Sequence, residues 1–376
     1  MASYQRVHGE ISVLPRCTKN TVNDIIMETK ILKIDENNID SLALKEAGEI
    51  LKRGGLVAFP TETVYGLGGD ALNPDSSRKI YAAKGRPSDN PLIVHITNMD
   101  ALKEIVTEIP EDAVKLAKAY WPGPLTMIFN KNNRVPKETT GGLETVAVRM
   151  PSNKIAAALI DAAGGFVAAP SANLSGRPST TSAAHVIQDM TGRIDMIIDG
   201  GESEVGLEST IVDFTEGTPI ILRPGFISQK MLEEALNKSV SFDRAIIDAD
   251  CKAAPKAPGM KYRHYAPKGE LSIVEGDGEK VIAKINELTH KYEEEGKKVG
   301  VIATRETAGL YQAGTVKIAG SKGDEKETAH NLFKILREFD DEKVDIMLSE
   351  SFNGAGVGVA VMNRLLKAAG HQIINV

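Results

Sequence analysis

Two cations separated by a single glycine stand in a short polar stretch of this 376-residue chain. Lys84 and Arg86 flank Gly85, and Pro87 follows them. Because proline restricts the residue before it and has no amide donor, this stretch predicts a loop rather than a helix interior. A loop with two cations can bind one anion, with Lys84 as a point charge and Arg86 as a planar fork. The pattern predicts either a phosphate clamp or an ordinary solvated turn.

Regular elements are expected on both sides of this loop. The segment 75–83 has an acidic start and predicts a helix, and the apolar run 92–96 predicts a buried strand. Both ends of the loop are therefore expected to be anchored. His95 comes at the end of that strand, where a histidine is more often structural than catalytic, so we expect it to have a binding role only.

Several further strand ends carry polar or charged residues. One predicted strand leads into the hydroxyl- and glycine-rich segment 60–68, and another leads into 170–179, which offers many donors to an anion. Arg149 and Arg223 stand near the ends of two other strands. A buried guanidinium needs an anion, so Arg149 must pair with a structural Asp or Glu or with a ligand carboxylate. Together these strand ends predict a mixed sheet whose loops converge on a cleft.

The length of the chain predicts two domains. The pattern divides the chain into an N-terminal extension, a first domain, a linker and a small α/β domain with a parallel sheet, at 1–28, 29–237, 238–268 and 269–376. Proline and glycine mark the linker, but residues 260–267 concentrate aromatic rings and cations. Such a segment is expected to dock on the neighbouring cleft.

Composition narrows the class of protein. A formal net charge of −6 argues against a protein that mainly coats nucleic acid. The two cysteines, Cys17 and Cys251, are far apart, which predicts neither a disulfide framework nor a thiolate zinc site and favours a cytoplasmic location. No apolar run has the length of a signal-peptide core or of a membrane span, so no membrane association is expected.

Four motifs together resemble the L-threonylcarbamoyladenylate synthases: Pro-Thr-Glu-Thr-Val-Tyr-Gly-Leu at 60–67, Lys-Gly-Arg-Pro at 84–87, Ala-Pro-Ser-Ala-Asn-Leu-Ser-Gly at 169–176 and Leu-Arg-Pro-Gly at 222–225. With Lys-Tyr-Arg-His-Tyr-Ala-Pro at 261–267, the chain is similar to the long two-domain form over about residues 30–376. The resemblance implies an α/β fold. A YrdC-like twisted mixed sheet with helices and a central cleft would precede a small Rossmann-like parallel α/β domain.

The activity implied by this resemblance is the first step in making threonylcarbamoyl adenosine beside the anticodon of tRNA. L-Threonine, bicarbonate or CO2, and ATP would give threonylcarbamoyl-AMP and pyrophosphate. A tRNA threonylcarbamoyltransferase would then use the product, so stable tRNA binding by this chain is not required. Mg²⁺ would be held by the ATP phosphates, with no ligand from the protein.

The resemblance also implies residue roles. Catalytic roles are expected for Lys84, Arg86, Ser171 and Asn173. ATP would be bound by Lys84, Arg86, Asn90, Thr145, Ser171, Ser179 and Arg223. Threonine would lie between Thr63, His95, the Ala169 backbone and Ser209, with its carboxylate on Arg149. The linker residues Tyr262, Arg263, His264 and Tyr265 would form a lid that excludes water and protects the labile mixed anhydride.

Three other interpretations stay open from the sequence. A basic concave cleft could hold double-stranded RNA by its phosphates. A carbamoyltransferase of hydrogenase maturation has a similar domain, but its zinc-finger cysteines are missing here. The last domain could sense a nucleotide through Gly354, Gly356 and Gly358, although their spacing departs from G-x-G-x-x-G and favours a structural turn.

Overall fold

Two β-sheets organise the computed structural model, which describes residues 27–247, 264–352 and 354–376. The N-terminal extension up to residue 26 and most of the predicted linker lie outside the described residues. Lid residues Tyr262 and Arg263 are among them.

The first sheet is mixed, as the sequence predicts, and has eleven strands in the order β1-β8-β2-β3-β7-β4-β6-β5-β9-β10-β11. Its central strand β4 pairs in parallel with β6 and antiparallel with β7. The strands are β1 (Lys30–Lys33), β2 (Val57–Phe59), β3 (Gly66–Asp70), β4 (Ile93–His95), β5 (Leu125–Asn130), β6 (Thr145–Arg149), β7 (Val167–Ala169), β8 (Met196–Asp199), β9 (Thr210–Asp213), β10 (Ile220–Arg223) and β11 (Ser241–Phe242).

Helices connect these strands and cover the sheet. They are α1 (Ser41–Lys52), α2 (Pro74–Lys84), α3 (Met99–Ile105), α4 (Glu111–Tyr120), α5 (Lys154–Ala162), α6 (Ala183–Met190), α7 (Gln229–Leu236) and α8 (Arg244–Ile247). Helices α1 and α5 pack so closely that a Cβ on Gly48 would lie 2.6 Å from the backbone of Ala162. Apolar residues of both helices join one buried cluster with β2 and β8.

Helix α2 carries the first of the two cations at its last residue. Asn73 caps its N-terminus by accepting a hydrogen bond from the amide of Asp75. Gly85 ends it in the left-handed conformation, with φ of 61°. Lys84 is therefore helical, whereas the sequence placed it in the loop; the glycine, not the proline two residues later, sets the boundary.

Strand β3 was not expected, since the segment 60–68 predicts a loop. Glycine is generally unfavourable in strands because it has no side chain to pack. Here close packing favours it, because a Cβ on Gly66 or Gly68 would lie 3.0 Å from the ring of Phe59. The glycines let β3 lie flat against that ring, which positions the preceding polar turn.

The second sheet is parallel throughout, with five strands in the order β14-β13-β15-β12-β16. Its strands are β12 (Glu270–Glu275), β13 (Val299–Thr304), β14 (Thr315–Gly320), β15 (Ile346–Glu350) and β16 (Ile373–Asn375). The helices are α9 (Gly278–Glu294), α10 (Glu325–Asp341) and α11 (Gly358–Ala368), with a 3₁₀ turn at Ala308–Leu310. The α10 stripe predicted from the sequence is buried: Ala329, Leu332, Phe333, Leu336 and Phe339.

The units built on the two sheets meet along α10. His330 Nδ1 lies 2.9 Å from the carbonyl oxygen of Glu204, and Lys334 pairs with Glu202 at 3.0 Å. A Cβ on Gly206 would lie 2.5 Å from His330 Cα, so the backbones of the two segments approach closely there. The second unit therefore packs directly beside the loops of the first.

Two features are absent from the described segments. None of their helices combines the length and apolarity that a membrane crossing requires. The same residues contain no group of three or more His, Cys, Asp or Glu side chains that could hold a metal ion.

Candidate active site

A polar cleft in the first unit collects most of the residues predicted from the sequence. It is lined by Lys84, Arg86, Ser171, Asn173, Ser179, Arg223, Thr63, His95, Arg149, Ala169, Ser209, His264 and Tyr265, among others. These residues come from the end of α2, from the ends of β4, β6, β7 and β10, and from the loops between. Strand ends that are far apart in the chain thus supply one concave surface.

Lys84 is buried beneath the cleft. Its Nζ donates hydrogen bonds to the carbonyl oxygens of Ser171 and Asn173. Burial, together with the nearby Arg86 guanidinium, holds the pKa of Lys84 well below its usual value. A bound anion would reverse this effect, so the site favours a negatively charged ligand.

Arg86 is held by the loop that follows it. Its Nη2 donates to Asn90 Oδ1 at 2.5 Å and to the Pro91 carbonyl at 3.0 Å. Burial lowers the pKa of Arg86 to about 10, so the group stays charged at neutral pH. Asn90 does not line the cleft and instead orients this guanidinium.

Ser171 and Asn173 form one hydrogen-bonded pair on the loop after β7. Ser171 Oγ donates to Asn173 Oδ1 at 2.5 Å, and Asn173 Nδ2 donates to the carbonyls of Leu174 and Arg177. The asparagine therefore fixes the loop conformation and the serine hydroxyl at once.

Arg149 pairs with a protein acid. This is one of the two alternatives that the sequence left open, the other being a ligand carboxylate. Its Nη2 lies 2.7 Å from Glu62 Oε1, although the two groups are not aligned for a hydrogen bond. Nη1 donates to Thr63 Oγ1 at 2.7 Å. Both charged side chains are about 95% buried, at 5% and 6% exposure. Glu62 belongs to the quoted motif at 60–67, yet its spacing alone did not reveal this pairing.

His95 is neutral at physiological pH. Burial, followed by the charge of Arg149, lowers its pKa to about 3. Its Nδ1 lies 3.0 Å from the Ile93 carbonyl, and its ring meets Phe59 edge-on at 6.1 Å between centroids. These contacts fit a positioning or binding group rather than a cation.

Arg223, at the end of β10, is joined to Ser209. Arg223 Nε donates to the Ser209 carbonyl at 3.0 Å, and its Nη2 donates to Ser209 Oγ at 3.1 Å. Ser209 Oγ also lies 2.7 Å from Thr126 Oγ1. Burial lowers the pKa of Arg223 to about 10, which leaves it protonated.

Glu208 is a cleft residue that the sequence reasoning missed. It is 6% exposed, and its Oε1 accepts a hydrogen bond of 2.5 Å from Ser179 Oγ. The residue follows Gly206 and Leu207 in an irregular segment, where no periodic pattern marks it. Its partner Ser179 lies 29 positions earlier, so only the fold brings the two residues together.

The end of the linker reaches the cleft, as predicted. His264 and Tyr265 line it, and the amide of Ala266 donates to the Gly176 carbonyl at 2.8 Å. Tyr265 is 5% exposed and packs against Phe333 of α10 with 5.1 Å between ring centroids. The linker is therefore fixed to both units at this point.

Thr145 lies apart from the other predicted residues. It begins β6, opposite Asn130, while Arg149 ends the same strand. It is not among the residues that line the cleft.

Comparison with known proteins identifies the family. Residues 49–225 match the family model described as "Telomere recombination", and residues 227–370 match "Threonylcarbamoyl-AMP synthase, C-terminal domain". The chain is 49% identical to a threonylcarbamoyl-AMP synthase of Pyrococcus abyssi over 348 residues, which cover 93% of this chain and 100% of the relative. It is 46% identical to the Bacillus subtilis protein of that name over 341 residues, covering 90% and 96%.

A solved structure agrees over nearly the same length. P. abyssi Sua5 complexed with L-threonine is 48% identical, has a TM-score of 0.87, and is matched over 93% of this chain and 100% of that chain. The two-sheet fold, the polar cleft and these relatives lead to one conclusion: the chain belongs to the threonylcarbamoyl-AMP synthase family.

Proposed function

We propose that this chain synthesises threonylcarbamoyl-AMP and pyrophosphate from L-threonine, bicarbonate or CO2, and ATP. The observation that carries the proposal is the cleft itself, where Lys84, Arg86, Arg149 and Arg223 meet hydroxyl and amide side chains. A carbamate and a triphosphate are both anions. Bringing them together requires fixed positive charge and positioning more than proton transfer.

Threonine is assigned to the side of the cleft that holds Arg149. The amino-acid carboxylate would accept from the Arg149 guanidinium, whose charge Glu62 already moderates. Thr63, neutral His95, the Ala169 backbone and Ser209 would surround the side chain and amine. In support, the P. abyssi relative described above was solved with L-threonine.

ATP is assigned to the side formed by the Lys-x-Arg pair and the serine loop. Lys84 and Arg86 would neutralise the phosphates, while Ser171 and Asn173 would orient them. Ser179 and Arg223 would bind the rest of the nucleotide. Asn90 would act through Arg86, and a nucleotide contact by Thr145 remains a prediction from the family resemblance alone.

The reaction proceeds in two bond-forming steps. The threonine nitrogen attacks the carbon of CO2 and loses a proton, which gives the carbamate. If bicarbonate is the substrate, a carbon–oxygen bond also breaks, and the proton leaves with that hydroxyl as water. A carbamate oxygen then attacks the α-phosphorus of ATP, and the bond to the β-phosphate oxygen breaks to release pyrophosphate. The cleft's cations stabilise the charge that accumulates on the phosphoryl oxygens.

Mg²⁺ would enter with ATP rather than through a dedicated protein site. Glu208, which lines the cleft, already accepts from Ser179, and Glu62, which lies behind Arg149, pairs with that arginine. The metal would screen the triphosphate charge and assist pyrophosphate departure. The protein's own part is to hold the phosphates with Lys84 and Arg86.

The linker would act as a lid over the occupied cleft. His264 and Tyr265 already lie against the cleft, and burial is what lowers the pKa of His264 to about 3. A neutral, tightly packed cover would exclude water from the mixed anhydride. We further propose that a cytoplasmic tRNA threonylcarbamoyltransferase consumes the product, so this chain need not bind tRNA stably.

Pyrophosphate release tests the proposal when threonine, bicarbonate and ATP are omitted in turn from a reaction with Mg²⁺. Release should require all three. Arg86→Gln should abolish it, whereas Arg78→Gln should not, because Arg78 lies on α2, the helix just before Arg86, with its side chain exposed. Threonine-independent release, or salt-sensitive binding of double-stranded RNA without turnover, would contradict the proposal.

A further inference from the structure

The second unit inserts a buried arginine toward the cleft. Arg364, on α11, is 0% exposed. Its Nε donates to Glu208 Oε2 at 2.9 Å, and its Nη1 donates to the Pro224 carbonyl at 2.8 Å. Its guanidinium carbon also lies 5.8 Å from the ring centroid of Tyr265. One side chain therefore contacts a cleft acid, the loop after β10 and the end of the linker.

Glu208 is fully occupied by this arrangement. One carboxylate oxygen accepts from Ser179 and the other from Arg364. Loss of the guanidinium would leave a buried carboxylate half satisfied, and such a group moves or takes up a proton. Either response would release the Ser179 hydroxyl from its present position.

From this geometry we infer that Arg364 is a positioning residue for the nucleotide: it holds Glu208, which fixes Ser179, and it seats Tyr265 of the linker. The inference rests on the proposed function, because it assigns Ser179 to ATP. Arg364 itself is not among the cleft-lining residues and is not proposed to touch substrate. It gives the second unit a direct part in the reaction of the first.

A second contact between the units provides a control. Lys334, on α10, pairs with Glu202 of the first unit at 3.0 Å, and both side chains are partly exposed. Neither residue lines the cleft. Lys334→Leu therefore weakens the contact between units without freeing Glu208 and without leaving a buried charge.

The first readout compares Michaelis constants in the full chain. Arg364→Leu should raise KM for ATP roughly 10- to 100-fold, the loss expected for a charge-assisted hydrogen bond, and should change KM for threonine about twofold at most. Lys334→Leu should leave both constants within about twofold of wild type, because it removes only a partly exposed ion pair. Arg364→Lys keeps the charge and should recover part of the loss. It also provides the comparison if the leucine variant does not fold.

The pairing of Arg364 with Glu208 is tested by combining substitutions. If the arginine acts through the acid, Glu208→Gln together with Arg364→Leu should be no worse than the more damaging single variant. Additive losses would assign Arg364 a role that does not pass through Glu208, and would overturn the inference.

A pH profile separates positioning from simple stability. Burial alone would raise the pKa of Glu208, but the charges of Arg364 and Arg223 outweigh it and lower that pKa. The groups that face this carboxylate are Ser179, Arg223, His264, Tyr265, Arg364 and Lys367. Arg364→Leu should therefore move the acidic limb of kcat/KM for ATP to higher pH, and Lys334→Leu should not.

The outcomes are distinct. Equal effects of the two leucine variants on KM and on the pH profile would reduce Arg364 to an interface residue and overturn the inference. An unchanged KM for ATP in Arg364→Leu would do the same. Wild-type protein that releases no pyrophosphate from the three substrates would instead contradict the proposed function.

Discussion

Replacing Arg149 tests two roles of this residue, its ion pair with Glu62 and its proposed binding of the threonine carboxylate. Arg149 and Glu62 form an ion pair that is nearly inaccessible to solvent. Arg149→Met leaves the Glu62 carboxylate buried without its cation, which costs about 3–5 kcal/mol of folding stability. If the same guanidinium binds the threonine carboxylate, KM for threonine should also rise roughly 10- to 150-fold, from a loss of about 1.5–3 kcal/mol.

The double variant Arg149→Met with Glu62→Gln separates the two effects. Glutamine carries no charge, so most of the lost stability should return. The threonine KM should stay high, because nothing has replaced the guanidinium. Stability can be followed in urea by the fluorescence of Trp121, the chain's only tryptophan, which lies in the first unit beside β5 and donates to the Leu125 carbonyl at 2.7 Å.

One result would refute this reasoning. If the double variant recovers both its stability and the wild-type KM for threonine, Arg149 serves only to neutralise Glu62, and the threonine carboxylate binds elsewhere. Glu62→Gln alone is the control, since it should keep threonine binding while altering the charge of the site.

Three other outcomes are expected. ATP binding should raise the pKa of Lys84, because burial lowers that pKa and a triphosphate opposes this effect. The result is proton uptake on ATP binding at alkaline pH, which calorimetry in two buffers of different ionisation enthalpy measures and which Lys84→Met should abolish. The His95 imidazole should show no titration by NMR between about pH 5 and 8, because its pKa of about 3 keeps the ring neutral throughout. A titration midpoint in that range would contradict the neutral, buried ring. Deleting residues 261–267 should leave ATP binding largely intact and abolish synthesis, as measured by equilibrium binding and pyrophosphate release; unchanged turnover would exclude a lid.

Strand ends were the part of this site that could be predicted from the sequence. Short apolar runs followed by hydroxyls, glycines or arginine indicated where β2, β6, β7 and β10 end. The mixed sheet and the parallel second sheet follow the same patterns. The glycine-rich strand β3 was not predicted, because it depends on packing against Phe59 and local strand propensity does not include that contact.

Partners across long sequence separations were the part that could not be predicted. Arg149 required an anion on chemical grounds, but its pairing with a residue 87 positions away is a property of the folded sheet. Glu208 and Arg364 are 156 positions apart and belong to different units. A buried charge indicates that a partner must exist, but the identity of that partner depends on the fold.

The distance along the chain between Glu208 and Arg364 has a consequence for synthesis on the ribosome. At about 5–20 residues per second, roughly 8–30 s pass between translation of the acid and of the arginine that pairs with it across 156 positions. Throughout that interval the emerging first unit contains a carboxylate that has no guanidinium from α11. Nascent chains can therefore bury Glu208 in its final state only after α11 has been made, so the cleft matures well after all of its own strands have been translated.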